Sequence, residues 1–249
     1  MHVLSKESLK RRTGHHLNHT VQDCFGSGIP GSCFHDLLCC GVLSSNSPAT
    51  SEALAELQRN KRQLRAEMRR RRRALGPHQQ REAARRLYRR LIQSPLFRHS
   101  KRIAFTVARD GEIDPSLLLK AALRRGKACY LPVMSRVGEP RLEFRRWSPG
   151  QRMTRGAFAI PEPRHGKRLP PWALGLVLLP LVAFDADGRR LGMGKGFYDR
   201  SFAFLARGGR TRPALVGLAH ECQRVERLEV ASWDVPLKGI VTDQAWYGA

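Results

Sequence analysis

The sequence predicts an α/β protein, a single Rossmann-like three-layer domain in which helices flank a largely parallel sheet. From residue 101 onward, short apolar runs typical of strands alternate with segments of helical periodicity. This alternation is the pattern of parallel strands joined by crossover helices. A chain of 249 residues, 41% of them hydrophobic, is also large enough to bury the core that such a sheet requires.

Two helices are predicted before the first strand. The first begins near Ser51, an N-cap residue with Glu52 in the first turn, and ends at Gly76-Pro77. Its apolar residues recur at helical spacing: Leu54, Leu57, Leu64 and Met68. The second helix covers about 78–93, and its apolar face consists of Ala83, Ala84, Leu87, Leu91 and Ile92.

The basic residues of the first helix divide into two groups by their position around its axis. At about 100° per residue, Lys61 and Arg65 lie beside the apolar stripe. Cations next to a buried face usually have an anion to meet. Arg70 and Arg73 point away from the stripe, and we interpret them as part of a solvated face.

The remaining predicted elements alternate between strands and helices. A helix over 115–125 has Asp114 as its N-cap and Pro115 in its first position. Another helix, over about 196–206, follows a glycine-rich loop. Strands are predicted at 102–107, 128–133 (ended by Pro132), 140–147, 174–179, 213–219 and 238–242. The run at 174–179 is apolar throughout, which is typical of a central strand covered on both faces.

The formal net charge of +24 is the unusual feature of the composition. Two interpretations remain open: the charge attracts polyanions such as nucleic acid, membrane surfaces or polyglutamate, or it reflects arginines spread over solvated helix faces. The run of arginines at 69–73 favours weak, salt-sensitive adhesion. No helix-turn-helix, zinc-finger or RNP pattern accompanies it, so specific nucleic-acid binding is not expected.

Residues 1–50 differ from the rest in composition, being rich in Gly, Ser, His and Cys. We expect them to be a disordered extension or to precede the true translation start. Four of the six cysteines lie here: Cys24, Cys33, Cys39 and Cys40. Their spacing fits no common zinc pattern, although metal binding stays open, whereas Cys129 and Cys222 are expected to be buried thiols. With no secretory signal and no membrane span expected, we predict a cytoplasmic protein.

The segment 190–200 holds the clearest functional signal. Gly192, Gly194 and Gly196 alternate with larger residues between a buried strand and a helix start. Bare N–H groups and the partial positive charge of the helix would face one point there, which suits a phosphate. Lys195 adds a charge of the right sign. Neither the dinucleotide nor the P-loop spacing is satisfied, so a plain glycine-rich turn is the alternative.

Three aspartates flank this loop: Asp185, Asp187 and Asp199. A nucleotide phosphate normally brings Mg²⁺, which takes a few carboxylates together with phosphate oxygens. Because Asp185 and Asp187 precede Gly188, turn formation is the favoured interpretation for these two.

Four segments together resemble the 5-formyltetrahydrofolate cyclo-ligase family, also called methenyltetrahydrofolate synthetase. They are 110–114, 159–163, 180–200 and 233–236. The most characteristic part is Arg-Leu-Gly-Met-Gly-Lys-Gly-Phe-Tyr-Asp-Arg at 190–200; the family often has glycine at the position of Lys195, although lysine also occurs. The resemblance covers about 55–247, and we therefore predict a cyclo-ligase domain over 51–249.

The resemblance implies an ATP- and Mg²⁺-dependent closure of 5-formyltetrahydrofolate to 5,10-methenyltetrahydrofolate. The formyl oxygen attacks the γ-phosphate, N10 then closes the ring, and ADP and phosphate are released. Such chemistry needs positioning and charge neutralisation above all. The partners are then small molecules, and a monomer is expected. The alternatives are a basic nucleic-acid-binding protein, or an ATP-using paralogue of the same fold that acts on another substrate.

The resemblance also assigns site residues. The ATP-binding positions are Lys61, Arg65, Gly192, Met193, Gly194, Lys195 and Gly196. The substrate-binding positions are Glu112, Phe197 and Tyr198, with Phe197 as a core residue being the alternative. The catalytic positions are Lys195, Tyr198 and Arg190. The Mg²⁺ candidates are Asp199 and Asp234, where a structural turn is the alternative for Asp234. For Trp147 and Phe158, core packing is favoured over a place in the pterin pocket.

Overall fold

The strands of one large sheet form the framework of the protein. The computed structural model describes residues 48–135, 140–206, 212–229, 231 and 233–248. In this part the helices are α1 (Pro48–Arg73), α2 (Pro77–Ile92), α3 (Pro95–His99), α4 (Ser116–Arg124) and α5 (Phe197–Phe202). The strands are β1 (Arg102–Ala104), β2 (Ala128–Met134), β3 (Leu142–Arg146), β4 (Met153–Arg155), β5 (Pro161–Pro163), β6 (Arg168–Leu169), β7 (Leu176–Pro180), β8 (Ala183–Phe184), β9 (Arg190–Leu191), β10 (Ala214–Leu218), β11 (Gly239–Val241) and β12 (Trp246–Tyr247).

The large sheet has the strand order β12-β11-β10-β7-β1-β2-β3-β6. The five strands from β11 to β2 are mutually parallel, whereas β12, β3 and β6 are each antiparallel to the neighbour they pair with. The predicted α/β fold with a largely parallel sheet is therefore confirmed. Parallel strands bring their carboxyl ends to one edge, which is where open α/β sheets bind ligands.

Helices cover both faces of this sheet. Strand β7 lies between β1 and β10, and its residues alternate between the two faces. Leu176 and Leu178 pack into the cluster formed with α2, α3 and α4. Val177 and Leu179 pack into the cluster that includes Phe202 of α5. These two cores make the three-layer arrangement, and they confirm that β7 is a central strand.

Of the two helices predicted before the first strand, α2 matches its prediction more closely than α1. Every predicted apolar position of α2 is buried: Ala83, Ala84, Leu87, Leu91 and Ile92. Helix α1 begins at Pro48, not near Ser51. Its apolar stripe is buried only at the C-terminal end, where Met68 and Leu64 pack against 182–191, while Leu54 is 57% exposed.

Pro132 does not end strand β2, contrary to prediction. The strand runs to Met134 and pairs with β3, with Pro132 opposite Phe144. The Ser135 amide donates to Arg141, so alternate residues of β2 point their N–H groups at β3 and Pro132 points away from it. On that other side β1 pairs only as far as Tyr130. Proline is tolerated there because no ladder bond is lost.

The shorter elements show where sequence patterns fail. Helix α4 begins at Ser116 with Pro115 as its N-cap, one residue later than predicted, because Pro115 has a non-helical ψ of 8°; the Ser116 amide nevertheless donates to Asp114 Oδ1 at 2.9 Å. The antiparallel pairs β4–β5 and β8–β9 were not predicted, because two or three residues per strand are too few for a period.

No helix in the described ranges is long and apolar enough to cross a membrane.

The cysteines divide as follows. Cys129 is a buried thiol, as predicted, and burial raises its pKa to about 12. Cys222 is only partly buried, contrary to prediction, because it lies on a 3-10 turn at Glu221–Gln223. The predictions for the four N-terminal cysteines and for residues 1–47 fall outside the described residues.

Candidate active site at the carboxyl edge of the sheet

The candidate site lies where the chain leaves the carboxyl ends of β1 and β7. The segment after β1 carries Asp110, Gly111 and Glu112. After β7 the chain forms the β8–β9 hairpin, whose second strand leads into the glycine-lysine loop and then α5. Helix α1 packs against β8. Three segments that are distant in sequence therefore meet at one edge of the sheet.

Asp185 forms the turn of the β8–β9 hairpin. Its Oδ1 accepts from the amides of Asp187 and Arg189, at 3.1 and 3.0 Å. Its Oδ2 accepts from the amide of Leu228 at 2.9 Å, and the side chain is 1% exposed. Asp187 is exposed and pairs with Arg189 at 2.7 Å. Both aspartates serve the turn, as the sequence predicted.

The glycine-lysine loop is defined by residues 192–196, and Arg65 of α1 lies against it. Arg65 Nε donates to the carbonyl oxygen of Gly192 at 2.9 Å. Gly194 has φ +84°, and a Cβ atom there would lie 3.2 Å from Arg65 Nη2. The loop therefore requires glycine at 194 both for its conformation and for the approach of Arg65. Burial lowers the pKa of Arg65, but an arginine stays protonated.

The other predicted ATP-binding residues surround this contact. Lys61 is partly buried and lies one turn before Arg65, on the same face of α1. Met193 is 50% exposed. Lys195 is exposed, and its Nζ lies 5.9 Å from the ring centroid of Phe158. Arg200 donates to the Lys195 carbonyl oxygen. The cationic side chains predicted to bind ATP thus come from two elements, helix α1 and the glycine-lysine loop.

Arg190 and Asp199 form a nearly buried ion pair beside the loop. Arg190 Nη2 lies 2.5 Å from Asp199 Oδ1, with side-chain exposures of 7% and 18%. The buried Nε of Arg190 has no hydrogen-bond partner among the described residues. The amide of Val235 donates to the same Asp199 oxygen at 3.4 Å. This contact brings the Asp234–Val235 turn next to Asp199.

Asp234 itself closes a turn, because its Oδ2 accepts from the Ala231 amide at 2.9 Å. The described residues contain no group of three or more His, Cys, Asp or Glu side chains that could hold a metal ion. Mg²⁺ bound to a nucleotide needs only one or two carboxylates beside phosphate oxygens. The contact through Val235 brings the backbone next to Asp234 to Asp199, while the Asp234 carboxylate itself caps its own turn.

Tyr198 interacts electrostatically with Glu112 and Arg190. Burial raises the pKa of the Tyr198 hydroxyl, the negative charge of Glu112 raises it further, and Arg190 opposes the rise. The ring of Tyr198 stacks on Phe202 at 6.4 Å between centroids. The structure thus brings three predicted residues into electrostatic contact: Tyr198, Glu112 and Arg190.

The aromatic residues around the loop have different environments. Phe197 is partly buried and packs against the α5 side of the core. It also contacts the ring of Phe158, edge to face, at 6.2 Å. Phe158 is 61% exposed, so the expected core role for Phe158 is wrong, whereas Trp147 does pack against the core. Phe158 is exposed because it lies at the tip of the β4–β5 hairpin with a left-handed φ of +53°.

Sequence reasoning missed the residues that hold Glu112. Arg72 is 1% exposed and lies 3.5 Å from Glu112 Oε1. Asp110 accepts from Arg69 and Arg73 as well as Arg72. Arg70 and Arg73 are 75% and 53% exposed, so both lie on the solvated face as predicted, although each also pairs with a carboxylate, Glu67 and Asp110 respectively. The signal that could have found Arg72 is its helical spacing, because it lies four residues after Met68 on the apolar stripe of α1.

The chain matches the family model described as "5-formyltetrahydrofolate cyclo-ligase family" over residues 57–243. It is 40% identical over 177 residues to the 5-formyltetrahydrofolate cyclo-ligase of Escherichia coli K12, covering 70% of this chain and 96% of that protein. The enzyme of the same name from Haemophilus influenzae is 37% identical over 183 residues, with 73% and 96% covered.

Solved structures agree with this assignment. The 5,10-methenyltetrahydrofolate synthetase of Aquifex aeolicus superimposes with a TM-score of 0.65 at 32% identity, over 76% of this chain and 92% of that one. The synthetase of Mycoplasma pneumoniae, 21% identical, shares the fold with a TM-score of 0.58 over 74% and 99% of the two chains. The chain therefore belongs to the 5-formyltetrahydrofolate cyclo-ligase family of enzymes.

Proposed function

We propose that this protein closes 5-formyltetrahydrofolate to 5,10-methenyltetrahydrofolate at the expense of ATP, releasing ADP and phosphate. The observation that carries the proposal is the junction of α1 with the glycine-lysine loop, where Arg65 bonds the Gly192 carbonyl. At this junction Arg65 of α1 meets the glycine-lysine loop, and Tyr198 in the helix that follows the loop interacts electrostatically with Glu112. A site for a polyphosphate thus adjoins a site for a flat, polar ring.

On the ATP side, the geometry of α1 and the loop supports the positions that the family resemblance implies. Lys61 and Arg65 present charge from α1, and the loop offers amides at its glycines. Lys195 is exposed and extends toward Phe158, so it is available to a phosphate. Arg190 carries a buried Nε with no partner in the described ranges, and we assign this N–H to a phosphate oxygen.

On the folate side, we assign Glu112 to the polar pterin and the rings of Phe197 and Tyr198 to its flat faces. The carboxylate of Glu112 accepts from the Arg109 amide at 3.2 Å and is held near Arg72. It can therefore accept hydrogen bonds from the N–H groups of a pterin in one fixed orientation. The hydroxyl of Tyr198 remains protonated at neutral pH, so it can donate.

The reaction then requires positioning more than acid–base chemistry. The formyl oxygen attacks the γ-phosphorus, and the bond between that phosphorus and the ADP oxygen breaks. N10 attacks the formyl carbon of the phosphorylated intermediate, the carbon–oxygen bond breaks as phosphate leaves, and N10 loses its proton. Lys195, Arg190 and Tyr198 would stabilise the charge that develops on the transferred phosphoryl group.

We propose Asp199 and Asp234 as the Mg²⁺ ligands. When bound, Mg²⁺ would neutralise phosphate charge during the transfer. Support for this pair comes from the Val235 amide, which donates to Asp199 Oδ1 and so brings the turn that contains Asp234 next to Asp199. Its ion pair with Arg190 would hold the carboxylate in place.

The rival function, nucleic-acid binding, is not favoured by the structure. Three residues of the arginine run at 69–73 are directed at Asp110, and a fourth and fifth pair with Glu67. The run is thus largely engaged within the protein. We further propose that the protein is cytoplasmic and that it is a monomer. Size-exclusion chromatography of the native protein would test the oligomeric state.

The decisive experiment mixes the purified protein with Mg-ATP and 5-formyltetrahydrofolate and follows methenyltetrahydrofolate absorbance in the near ultraviolet. We expect an ATP-dependent rise with one ADP per product. Omitting ATP, or replacing it with a non-hydrolysable analogue, serves as the control. No signal from well-folded protein would overturn the proposal and favour a paralogue that acts on another substrate.

A further inference from the structure

Helix α1 continues for two turns beyond the residues assigned to ATP, and these turns hold the loop after β1. Arg69 Nε and Arg72 Nη2 lie 2.8 and 3.1 Å from Asp110 Oδ2. Arg73 bonds the other oxygen, Oδ1. Three arginines from adjacent turns of one helix thus enclose a single carboxylate, which precedes Glu112 by two residues.

Arg72 is distinguished from its neighbours by burial and by the number of its contacts. Its side chain is 1% exposed, against 35% for Arg69 and 53% for Arg73. Nε donates to the Asp110 carbonyl oxygen at 2.9 Å, and Nη1 to the Leu181 carbonyl oxygen at 3.4 Å. Nη2 reaches Glu112 Oε1 at 3.5 Å. One guanidinium therefore joins α1, the loop after β1 and the segment after β7.

The backbone of the loop after β1 also packs closely against the end of α1. Asp110 has φ +54° and Gly111 has φ +76°. A Cβ atom on Gly111 would lie 2.9 Å from the carbonyl oxygen of Arg72. The loop is thus turned sharply against the end of α1, and this turn delivers the Glu112 side chain into the site. Such unusual backbone is maintained only where surrounding contacts over-determine it.

Stability alone is a weak explanation for a buried arginine. Removing a guanidinium from water carries a large desolvation cost, and apolar residues of similar size often do as well. Here the planar, five-donor group satisfies two carbonyls and two carboxylates at once. A lysine could supply the charge but could not occupy these directions together.

Resting on the function proposed above, we propose that Arg72, anchored by Asp110, is the positioning residue that fixes the orientation of Glu112 toward the folate. Arg72 acts through Glu112 and does not touch either substrate. The affinity for 5-formyltetrahydrofolate then depends on Arg72, while the affinity for ATP depends on Arg65 and the glycine-lysine loop.

The pKa of Glu112 can distinguish this positioning role of Arg72 from a purely structural one, because charged groups surround its carboxylate. Arg72 faces it from α1, Asp110 and Arg109 from its own loop, and Tyr198 from α5. Burial raises the pKa of Glu112, Arg72 and Arg109 lower it, and Asp110 raises it. Neutralising Arg72 therefore raises the pKa of Glu112, and neutralising Asp110 lowers it.

The test compares Arg72→Gln, Arg72→Lys and Asp110→Asn with Arg70→Gln as the matched control. Arg70 lies on the same helix, but it is exposed and pairs with Glu67 on its own helix. The readouts are KM for each substrate, kcat, the pH dependence of KM for 5-formyltetrahydrofolate, direct binding of that folate by calorimetry, and thermal unfolding.

For Arg72→Gln we expect the folate KM to rise by about tenfold to a hundredfold, the effect of misplacing a binding group by about an ångström. The ATP KM stays unchanged, and the acid limb of the folate pH profile moves to higher pH. Arg72→Lys returns the acid limb toward its original position but recovers the KM only in part. Asp110→Asn also raises the folate KM, with the acid limb moving to lower pH. Arg70→Gln changes nothing.

The inference is overturned if Arg72→Gln leaves folate binding unchanged, or if both KM values and the melting temperature change together in all three variants. Should Arg72→Gln not fold, Asp110→Asn and Arg72→Lys decide the matter by the same readouts. Failure of the proposed function gives a different result, because wild-type protein then forms no methenyl product with ATP. In that case the role assigned to Arg72 falls with it.

Discussion

Arg65 Nε lies 2.9 Å from the carbonyl oxygen of Gly192, a residue 127 positions further along the chain. This bond joins the middle of α1 to the glycine-lysine loop at the carboxyl edge of the sheet. The guanidinium also packs against Gly194, where a side chain would meet it at 3.2 Å. Arg65 therefore supports the loop as well as offering charge to a phosphate.

Replacing Arg65 with methionine should weaken ATP binding by about tenfold, because a charge-assisted hydrogen bond is lost together with the loop's support. Calorimetric titration with Mg-ATP measures the change. Arg62→Met is the matched control, since Arg62 is exposed on the same helix. Equal ATP affinity in the two variants would remove Arg65 from the ATP site.

Lys195→Ala should weaken ATP binding by about tenfold and leave 5-formyltetrahydrofolate binding unchanged, since the exposed ammonium serves a phosphate rather than the pterin. Both affinities are measured by calorimetry. Lys101→Ala is the control, because Lys101 is exposed and precedes β1 at the opposite edge of the sheet. If both ligands bind Lys195→Ala normally, the lysine has been misassigned.

Asp199→Asn should raise the Mg²⁺ concentration needed for half-maximal turnover by about tenfold, as loss of a ligand or of its support does at metal sites. Turnover measured across a Mg²⁺ titration tests this. Asp187→Asn, which alters an exposed carboxylate paired with Arg189, is the control. A lower kcat with an unchanged Mg²⁺ requirement would show that Asp199 only holds Arg190.

Asp110 predicts a specific loss of stability in acid. Burial raises its pKa, but hydrogen bonds from Arg73, Arg69 and Arg72 outweigh burial and hold the pKa at about 2, against an ordinary 3.8. A lowered folded-state pKa contributes stability that is present above pH 3.8 and is lost as the pH falls toward 2. The contribution is about 2 kcal/mol.

Urea unfolding between pH 2 and 7 measures this contribution. Asp110→Asn should lose about 2 kcal/mol at neutral pH and show a shallower fall below pH 4. Glu56→Gln, an exposed carboxylate of α1, should follow the wild-type curve. An unaltered acid slope in Asp110→Asn would mean that the arginines do not stabilise this carboxylate.

Removal of residues 1–47 should leave kcat, both KM values and the melting temperature unchanged, because the family match begins at residue 57 and α1 begins at Pro48. The truncation also removes Cys24, Cys33, Cys39 and Cys40. Metal analysis of the full-length and truncated proteins tests whether these cysteines bind metal. A large fall in turnover on truncation would make the segment part of the enzyme.

Local pattern and burial predicted most of the framework. The apolar face of α2 and the continuous run of β7 were predictable because each element buries a periodic or uninterrupted set of side chains. Pro132 was misread because its effect depends on which side of β2 is paired. That is a property of the sheet and not of the strand.

For the candidate site, too, the sequence predicted some residues and missed others. Lys61 and Arg65 could be singled out from their position beside the apolar stripe. Arg72 lies four residues after Met68 on the same stripe, but the sequence does not show which anion it meets. The choice depends on where Asp110 lies, 38 residues away.

The sequence by itself determined the elements of the sheet and the glycine-lysine loop between a buried strand and a helix. It also indicated the family, because these depend on residue types at short spacing. Only the tertiary structure decided which carbonyl or carboxylate each cation meets. Arg65 with Gly192, Arg72 with Asp110 and Glu112, and Arg190 with Asp199 are set by how α1, the loop after β1 and α5 pack together. Electrostatic attraction does not depend on how far apart two residues are in the sequence. The partners are therefore set by how these elements pack together.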